Sequence, residues 1–349
     1  MTANTKEAPV HLWLKDLGAD ASVEGVYLVK DKRSGVSRKG DSYLMLVLSD
    51  KSGEIEARVW EKADSLSARF KTGDMIRLQG QVTSFKGQNQ VVISDLTVAE
   101  GTVDPAIFLE ASPFAVSDMI AGLREILRDM EETHTRAVID RFMGDTEFMS
   151  RFKRAPAAKN FHHCYLGGLL EHTLAVCRLA SDVCARYPSL NRDILLAGAF
   201  LHDIGKVKEL SCDLQIDYTD EGRLIGHLAL GASMLDEKIR EIKGFPAELA
   251  IRLRHLILSH HGEYLFGSPK KPKFAEAFAL HFVDDLDAKL NALGRILERD
   301  REDGSWTRYN RLLERYLLKG DIKAGEERME RKEDHPLRQG ALFFMDEDM

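Results

Sequence analysis

The period of the apolar residues changes once along this chain, near Val98, and no single sheet or helix bundle can bury both halves. From Val23 to Val98, short apolar runs are separated by turn signals and carry no helical period. Tyr43 to Leu48 leads into Asp50-Lys51-Ser52-Gly53, after which Ile55, Ala57 and Val59 alternate with Glu54, Glu56 and Arg58. That is the pattern of a hairpin with one buried face. Ala63 to Phe70 reads as a short helix, and Met75 to Val82 and Val91 to Val98 as two more strands around Lys86-Gly87-Gln88-Asn89.

Three strands, a helix and two strands, in that order, predict an OB-fold β-barrel over residues 10–100. Beyond it, Asp104-Pro105 and Ser112-Pro113 punctuate a loop, and the rest reads as helix. Met119 to Phe142 places Leu123, Ile126, Leu127 and Met130 on one stripe, so residues 101–154 are expected to be a linker with bridging helices. An all-α domain is expected over 155–316 and a charged, solvated tail over 317–349, where Glu326 to Asp334 is almost wholly charged. The length of 349 residues, against roughly 150 for one domain, agrees with a multidomain α and β protein.

A net charge of −7 gives no global field for nucleic acid, so any such binding must use local basic patches. Cys164, Cys177, Cys184 and Cys212 form no CxxC pair, and no signal-like N-terminus precedes them, so reduced thiols in a cytoplasmic protein are expected. No apolar run approaches the roughly 20 residues needed to span a bilayer, so no membrane segment is expected.

The chemistry is concentrated in the helical half. His172, the pair His202-Asp203, His227, the pair His260-His261 and Asp284 follow in order, several of them inside apolar runs such as Leu195 to Leu201. Carboxylates and imidazoles in such surroundings need partners, because an unpaired buried charge costs several kcal/mol or neutralises itself. Five imidazoles and two carboxylates supply donors for two divalent ions, with Asp203 as the natural bridge. Mixed nitrogen and oxygen donors suit manganese, iron, cobalt or zinc and argue against calcium. Of the neighbouring carboxylates, Asp284 and Asp287 share a helix face while Asp285 turns away, and Asp284 is taken as the ligand. Lys206, one turn beyond the His-Asp pair, can meet a phosphate oxygen. His162 and His163 are left outside the ligand set, since packing accounts for them as well as function does.

Gly167-Gly168-Leu169-Leu170-Glu171-His172-Thr173, Leu201-His202-Asp203-Ile204-Gly205-Lys206 and Ser259-His260-His261-Gly262 together resemble the HD superfamily of metal phosphohydrolases over residues 155–295. With Gly267-Ser268-Pro269, the run His281-Phe282-Val283-Asp284-Asp285-Leu286-Asp287-Ala288-Lys289 and a barrel in front, the whole chain is similar to the YhaM-type 3′→5′ exoribonucleases. The resemblance implies a metal-dependent enzyme that shortens single-stranded RNA, with single-stranded DNA as a second substrate to test, and releases nucleoside 5′-monophosphates. It also implies that His172, His202, Asp203 and Asp284 hold one ion, manganese first, while His227, His260 and His261 complete the second around Asp203. Asp203 and Lys206 would then be the catalytic residues.

For strand binding, Lys30, Lys32, Arg33, Arg38 and Lys39 are expected in the loop between the first two strands, with Tyr43, Trp60, Phe85 and Lys86 supplying rings and a further cation. The bland reading is a solvated hairpin loop, with Trp60 and Phe85 filling the barrel. Two other functions compete: an HD enzyme acting on small or cyclic nucleotides, and a single-strand-binding adaptor without turnover. The first is weakened because Gly267-Ser268-Pro269-Lys270 does not look like the Gly-Tyr-Pro signature of cyclic-dinucleotide enzymes. A homo-oligomer stays open, since Met119 to Phe142 could pack within the chain or against a second copy.

Overall fold

The structure is a computed structural model and describes residues 11–37, 40–85, 88–99 and 107–320. The N-terminal part is a barrel of β1 (Ser22–Val36), β2 (Ser42–Asp50), β3 (Gly53–Val59), β4 (Met75–Phe85) and β5 (Gln88–Val98), with the short helix α1 (Ala63–Ser67) between β3 and β4. The strands close in the order β1-β2-β3-β5-β4. All pairings are antiparallel except β3 with β5. This is the expected OB-fold. Closure depends on β1, which pairs with β4 over Ser22 to Leu28 and with β2 over Leu28 to Val36. The register slips between Val29 and Asp31, and such a bulge bends the strand from one neighbour to the other. Tyr27, Leu44, Leu46, Leu48, Ile76, Leu78, Val82 and Val91 fill the interior. Burial, with Asp50 nearby, pushes the Tyr27 hydroxyl up to about 12, so it stays a donor to the Leu12 carbonyl at 2.8 Å.

Lys30, Lys32 and Arg33 lie on β1 itself and not in the following loop, because the β1–β2 ladder continues to Val36↔Ser42. Lys32 is already engaged, capping the carbonyls of Ser67 and Phe70 and lying 4.5 Å from the Phe70 ring centroid.

The helical part comprises α2 (Val116–Arg128), α3 (Thr133–Gly144), α4 (Thr146–Phe152), α5 (Gly168–Arg186), α6 (Arg192–Leu201), α7 (Lys206–Glu209), α8 (Asp220–Leu224), α9 (His227–Arg240), α10 (Ala247–Ser259) and α11 (Ala275–Arg299). A two-stranded ribbon, β6 (Leu210–Cys212) and β7 (Ile216–Tyr218), follows α7. Helix α6 is buried from Asp193 to Leu201, as a helix that is apolar on all sides must be. Phe142, Phe148, Phe152 and Phe200 pack edge to face, tilted or stacked, with centroids 5.0 to 6.2 Å apart.

The stretch Met119 to Phe142 is two helices, not one. Asp193 accepts the amides of Glu131 and Glu132 at 2.7 and 2.6 Å, and Glu132 caps α3 through the amides of His134 and Thr135. Met119, Leu123, Val138 and Phe142 share one apolar core with α5 and α6, so these helices are part of the helical body and do not bridge away from it. A second compact unit begins at Leu293. Within it the helix ends at Arg299, short of the expected Tyr316, and the described chain beyond forms isolated bridges such as Trp306↔Leu318. The charged segment Glu326 to Asp334 lies outside the described residues. The four cysteines are unpaired thiols. Among the described residues, no helix is long and apolar enough to cross a membrane.

Asp145 ties two helices together: it caps α4 by accepting the Phe148 amide at 3.0 Å and pairs with Lys238 of α9 at 2.8 Å. The Lys238 bond, then the cap, holds its carboxyl below the usual range. A depressed folded-state value stabilises the fold above the unfolded pKa and loses that effect as pH falls through the folded one. Asp145→Ala should therefore destabilise the protein by about 1 kcal/mol at neutral pH. The gap from wild type, read as thermal midpoints, should stay constant above about pH 5 and narrow below about pH 4.

Candidate metal centre

Four helix ends and one helix middle deliver the seven expected side chains to one place. His172 stands in the second turn of α5, His202 caps α6 with Asp203 next to it, His227 opens α9, His260 caps α10 with His261 next to it, and Asp284 faces inward from α11. Gly205 allows α9 to come this close, for a Cβ there would sit 2.0 Å from the His227 carbonyl oxygen.

Asp203 is central and almost fully buried. Its Oδ2 lies 3.6 Å from His172 Nε2 and 3.3 Å from His202 Nε2, while its Oδ1 lies 3.6 Å from both His227 Nε2 and His260 Nε2. Asp284 Oδ1 joins the first group, 3.1 Å from His172 Nε2. His261 Nε2 joins the second, 3.3 Å from His227 Nε2. The donors thus form two sets, His172 with His202 and Asp284, and His227 with His260 and His261, each compact enough for an ion. One oxygen of Asp203 faces each set.

The tautomers follow from what the other ring nitrogens touch. Nδ1 of His202, His260 and His261 donates to the carbonyls of Ala199, Ile257 and Phe266 at 2.9, 2.8 and 3.0 Å. Nδ1 of His172 donates to Asp287 at 2.6 Å and that of His227 to Glu209 at 2.9 Å. A carbonyl or ionised carboxylate can only accept, so Nδ1 carries the proton and Nε2 offers a lone pair. Four of these nitrogens converge on Asp203, whose Oδ1 is buried without a hydrogen-bond donor, and the fifth, of His261, lies against that of His227. Lone pairs this close repel unless a cation stands between them, and the donor set suits divalent transition ions.

Electrostatics agree. Burial alone would raise the Asp203 carboxyl, but Lys206 and His202 outweigh it and hold it well below the usual carboxylate range. Asp284 is also held below the usual carboxylate range, against burial, first by its hydrogen bond with His172. Burial, with His260 and His227 alongside, pulls His261 down to about 3, and burial lowers His227, so both are neutral rings. His172 moves the other way: Asp284 and Asp287 outweigh burial and raise it. Lys206 is buried beside the centre with Nζ 2.6 Å from Asp203 Oδ2.

Sequence reasoning misses the supports. Asp287 accepts from both His172 and His163, the latter at 2.9 Å. Its spacing of three from Asp284 is the signal that could have found it, whereas Asp285 faces away and pairs with Lys289. His163 is buried, faces the Tyr165 hydroxyl at 2.9 Å and has its amide held by Asn291 at 2.8 Å. Its backbone is left-handed at φ 44°, a strain of about 1 kcal/mol or more that these bonds offset. His162 lies against His172, with centroids 4.9 Å apart and its Nδ1 buried without a partner. Glu209, which turns His227, carries no sequence signal.

On the barrel, Tyr43 and Trp60 pack with centroids 4.9 Å apart, and the Arg58 guanidinium lies 5.8 Å from the Tyr43 centroid. Trp60 and Phe85 are 48% and 56% exposed, so neither fills the interior. Gly35 leaves room for the Tyr43 ring, which a Cβ there would approach to 2.7 Å. Arg33 is exposed on β1 and paired with Asp31 at 2.8 Å. Lys39 and Lys86 lie outside the described residues, as does Arg38. Arg58 is an addition that the sequence reading does not contain.

Comparison with known proteins divides the chain in the same way. The OB-fold nucleic acid binding domain family matches residues 23–99 and the HD domain family matches 169–289. The 3′-5′ exoribonuclease YhaM of Halalkalibacterium halodurans is 34% identical over 280 residues, covering 80% of this chain and 87% of that protein. YhaM of Bacillus subtilis is 36% identical over 282 residues, covering 79% and 88%. Among solved structures, the second OB-fold domain of replication protein A from Methanococcus maripaludis aligns with 27% of this chain and 100% of its own, with a TM-score of 0.23 and 17% identity.

The orienting role of Asp287 can be measured without turnover. Asp287→Ala should weaken manganese binding about 10- to 100-fold in a calorimetric titration, as loss of an outer partner does elsewhere. Asp285→Ala, which removes only a surface pair, should leave it unchanged.

Proposed function

The chain belongs to the YhaM family of 3′-5′ exoribonucleases, and from that premise we propose that it hydrolyses single-stranded RNA from the 3′ end to nucleoside 5′-monophosphates at the centre around Asp203. The observation that carries this reading is the convergence of four imidazole Nε2 atoms on the two oxygens of one buried carboxylate, with His261 Nε2 joining through His227.

Two divalent ions, manganese first and iron, cobalt or zinc after it, would be held by His172, His202, Asp203 and Asp284 and by His227, His260, His261 and Asp203. When bound they would supply Lewis acidity to the phosphodiester and make water nucleophilic at neutral pH. The protein's own groups do the rest. Asp203 stays ionised through Lys206 and offers one oxygen to each donor set. Lys206 brings an ammonium to the edge of the centre, where it can neutralise charge developing on a phosphoryl oxygen. Asp287 and Glu209 fix the rings of His172 and His227, so little reorganisation is needed when substrate arrives. The walls are the buried α6 and the apolar faces of α5 and α10, and such surroundings strengthen each of these interactions.

The strand would reach the centre by way of the barrel. Tyr43, Trp60 and Phe85 offer base-stacking faces, and Arg33 and Arg58, with Lys39 and Lys86, offer cations to the phosphates; such a surface tolerates any base sequence. Free thiols and an RNA substrate suit the cytoplasm.

A gel time course on 5′-labelled single-stranded RNA and DNA tests this reading. With manganese, wild type should give a ladder shortening from the 3′ end; with chelator, or with Asp203→Ala, the strands should stay whole. Strands left intact by wild type under every metal tried would sink the nuclease assignment. Separately, Trp60→Ala should weaken RNA binding, followed by fluorescence anisotropy, by about 1–3 kcal/mol if a base stacks there.

A further inference from the structure

Large apolar side chains stand uncovered on both sides of the second donor set. Tyr264, Leu265 and Phe266 are 63%, 90% and 61% exposed on the turn that follows His261, and Leu224 and Ile225 are 85% and 53% exposed just before Gly226 and His227. Three consecutive large apolar side chains left in water beside a donor set point to a binding surface.

The turn that carries the three residues is firmly built. The Phe266 amide donates to the Glu263 carbonyl and the Gly267 amide to that of Tyr264, both at 3.0 Å. Ser268 Oγ lies 3.1 and 2.6 Å from the carbonyl oxygens of Leu258 and Lys270 and donates to the nearer, and Lys271 pairs with Glu263 at 2.6 Å. Rings held out by a rigid turn lose little freedom when a ligand covers them. The turn is also fastened to the centre, because the Phe266 carbonyl accepts the Nδ1 proton of His261 at 3.0 Å. Lys271 Nζ lies 5.4 Å from the Tyr264 ring centroid, so a cation and an aromatic face are offered together.

We propose that this turn is a stacking platform for the 3′-terminal nucleotides of the RNA, with Tyr264 and Phe266 taking base faces and Lys271 a backbone phosphate. The proposal rests on the nuclease reading and says where the end of the strand is gripped. A strand whose last phosphodiester lies at Asp203 must set its neighbouring bases beside the ligands' flanks, and one flank is this turn. Stacking accepts every base, as an enzyme that removes nucleotides one after another requires. The pairing of rings with a lysine favours nucleic acid over a second copy of the chain as the occupant.

The test uses full-length protein with manganese and two substrates: single-stranded RNA, and methyl p-nitrophenyl phosphate, a diester without a base. Tyr264→Ala should raise KM for RNA about tenfold, the loss expected for one stacked base. It should leave bound manganese and hydrolysis of the small diester unchanged, which also shows that the variant is folded. Tyr264→Trp should restore the RNA KM. An unchanged RNA KM in Tyr264→Ala would overturn the platform. So would the same result accompanied by a fall from oligomer to monomer in light scattering, which would assign the face to a second copy. If wild type hydrolyses the small diester and leaves RNA intact, the nuclease reading falls and the platform with it.

Discussion

A carboxylate removed from water between two groups of imidazoles is costly to hold, and the helical half is arranged around that cost. Asp203 has Lys206 on one oxygen and no hydrogen-bond donor on the other. Helix α6 cannot be moved to relieve it, because every residue from Asp193 to Leu201 is buried and the helix ends at this carboxylate. The neighbouring elements therefore come to Asp203: α9 approaches through the space left at Gly205, α10 ends against it, and α11 turns Asp284 toward it. The arrangement is self-consistent once positive charge occupies both sides of the carboxylate.

The two parts of the chain meet different physical problems. The barrel must close a sheet, which β1 accomplishes by serving two neighbours on either side of a bulge. Outside the closed interior, Tyr43, Arg58 and Trp60 gather into one cluster. The helical body must bury His172, His202, Asp203 and His260 and hold three further polar side chains beside them. Its polar interior accordingly extends a layer outward to Asp287, His163, Tyr165 and Asn291.

Much of this is legible from residues. The barrel order can be read because alternation in β3 and the apolar run of β2 are local signals. The gathering of the histidines and aspartates can be read because such a residue inside an apolar run is costly to bury unless something pairs with it. What escapes depends on contacts distant in sequence. The break between α2 and α3 is pinned by Asp193, some sixty residues on. Glu209 and His163 act through partners that no local pattern names. Lys30, Lys32 and Arg33 look like a loop because charged residues carry little strand signal, yet the ladder runs through them. The end of α11 is equally hard to read, since residues 300–316 keep apolar residues without keeping a helix.

Three of the five imidazoles are aimed by backbone carbonyls of their own turn or of one nearby: Ala199 for His202, Ile257 for His260 and Phe266 for His261. Those carbonyls hold their places only while the ends of α6 and α10 and the adjoining turn keep their shape. Ring aim is therefore a readout of helix termination, and the centre assembles when the helix ends do. A loosening of the apolar body that shifts those helix ends will therefore disturb the aim of the rings, however remote from Asp203 it begins.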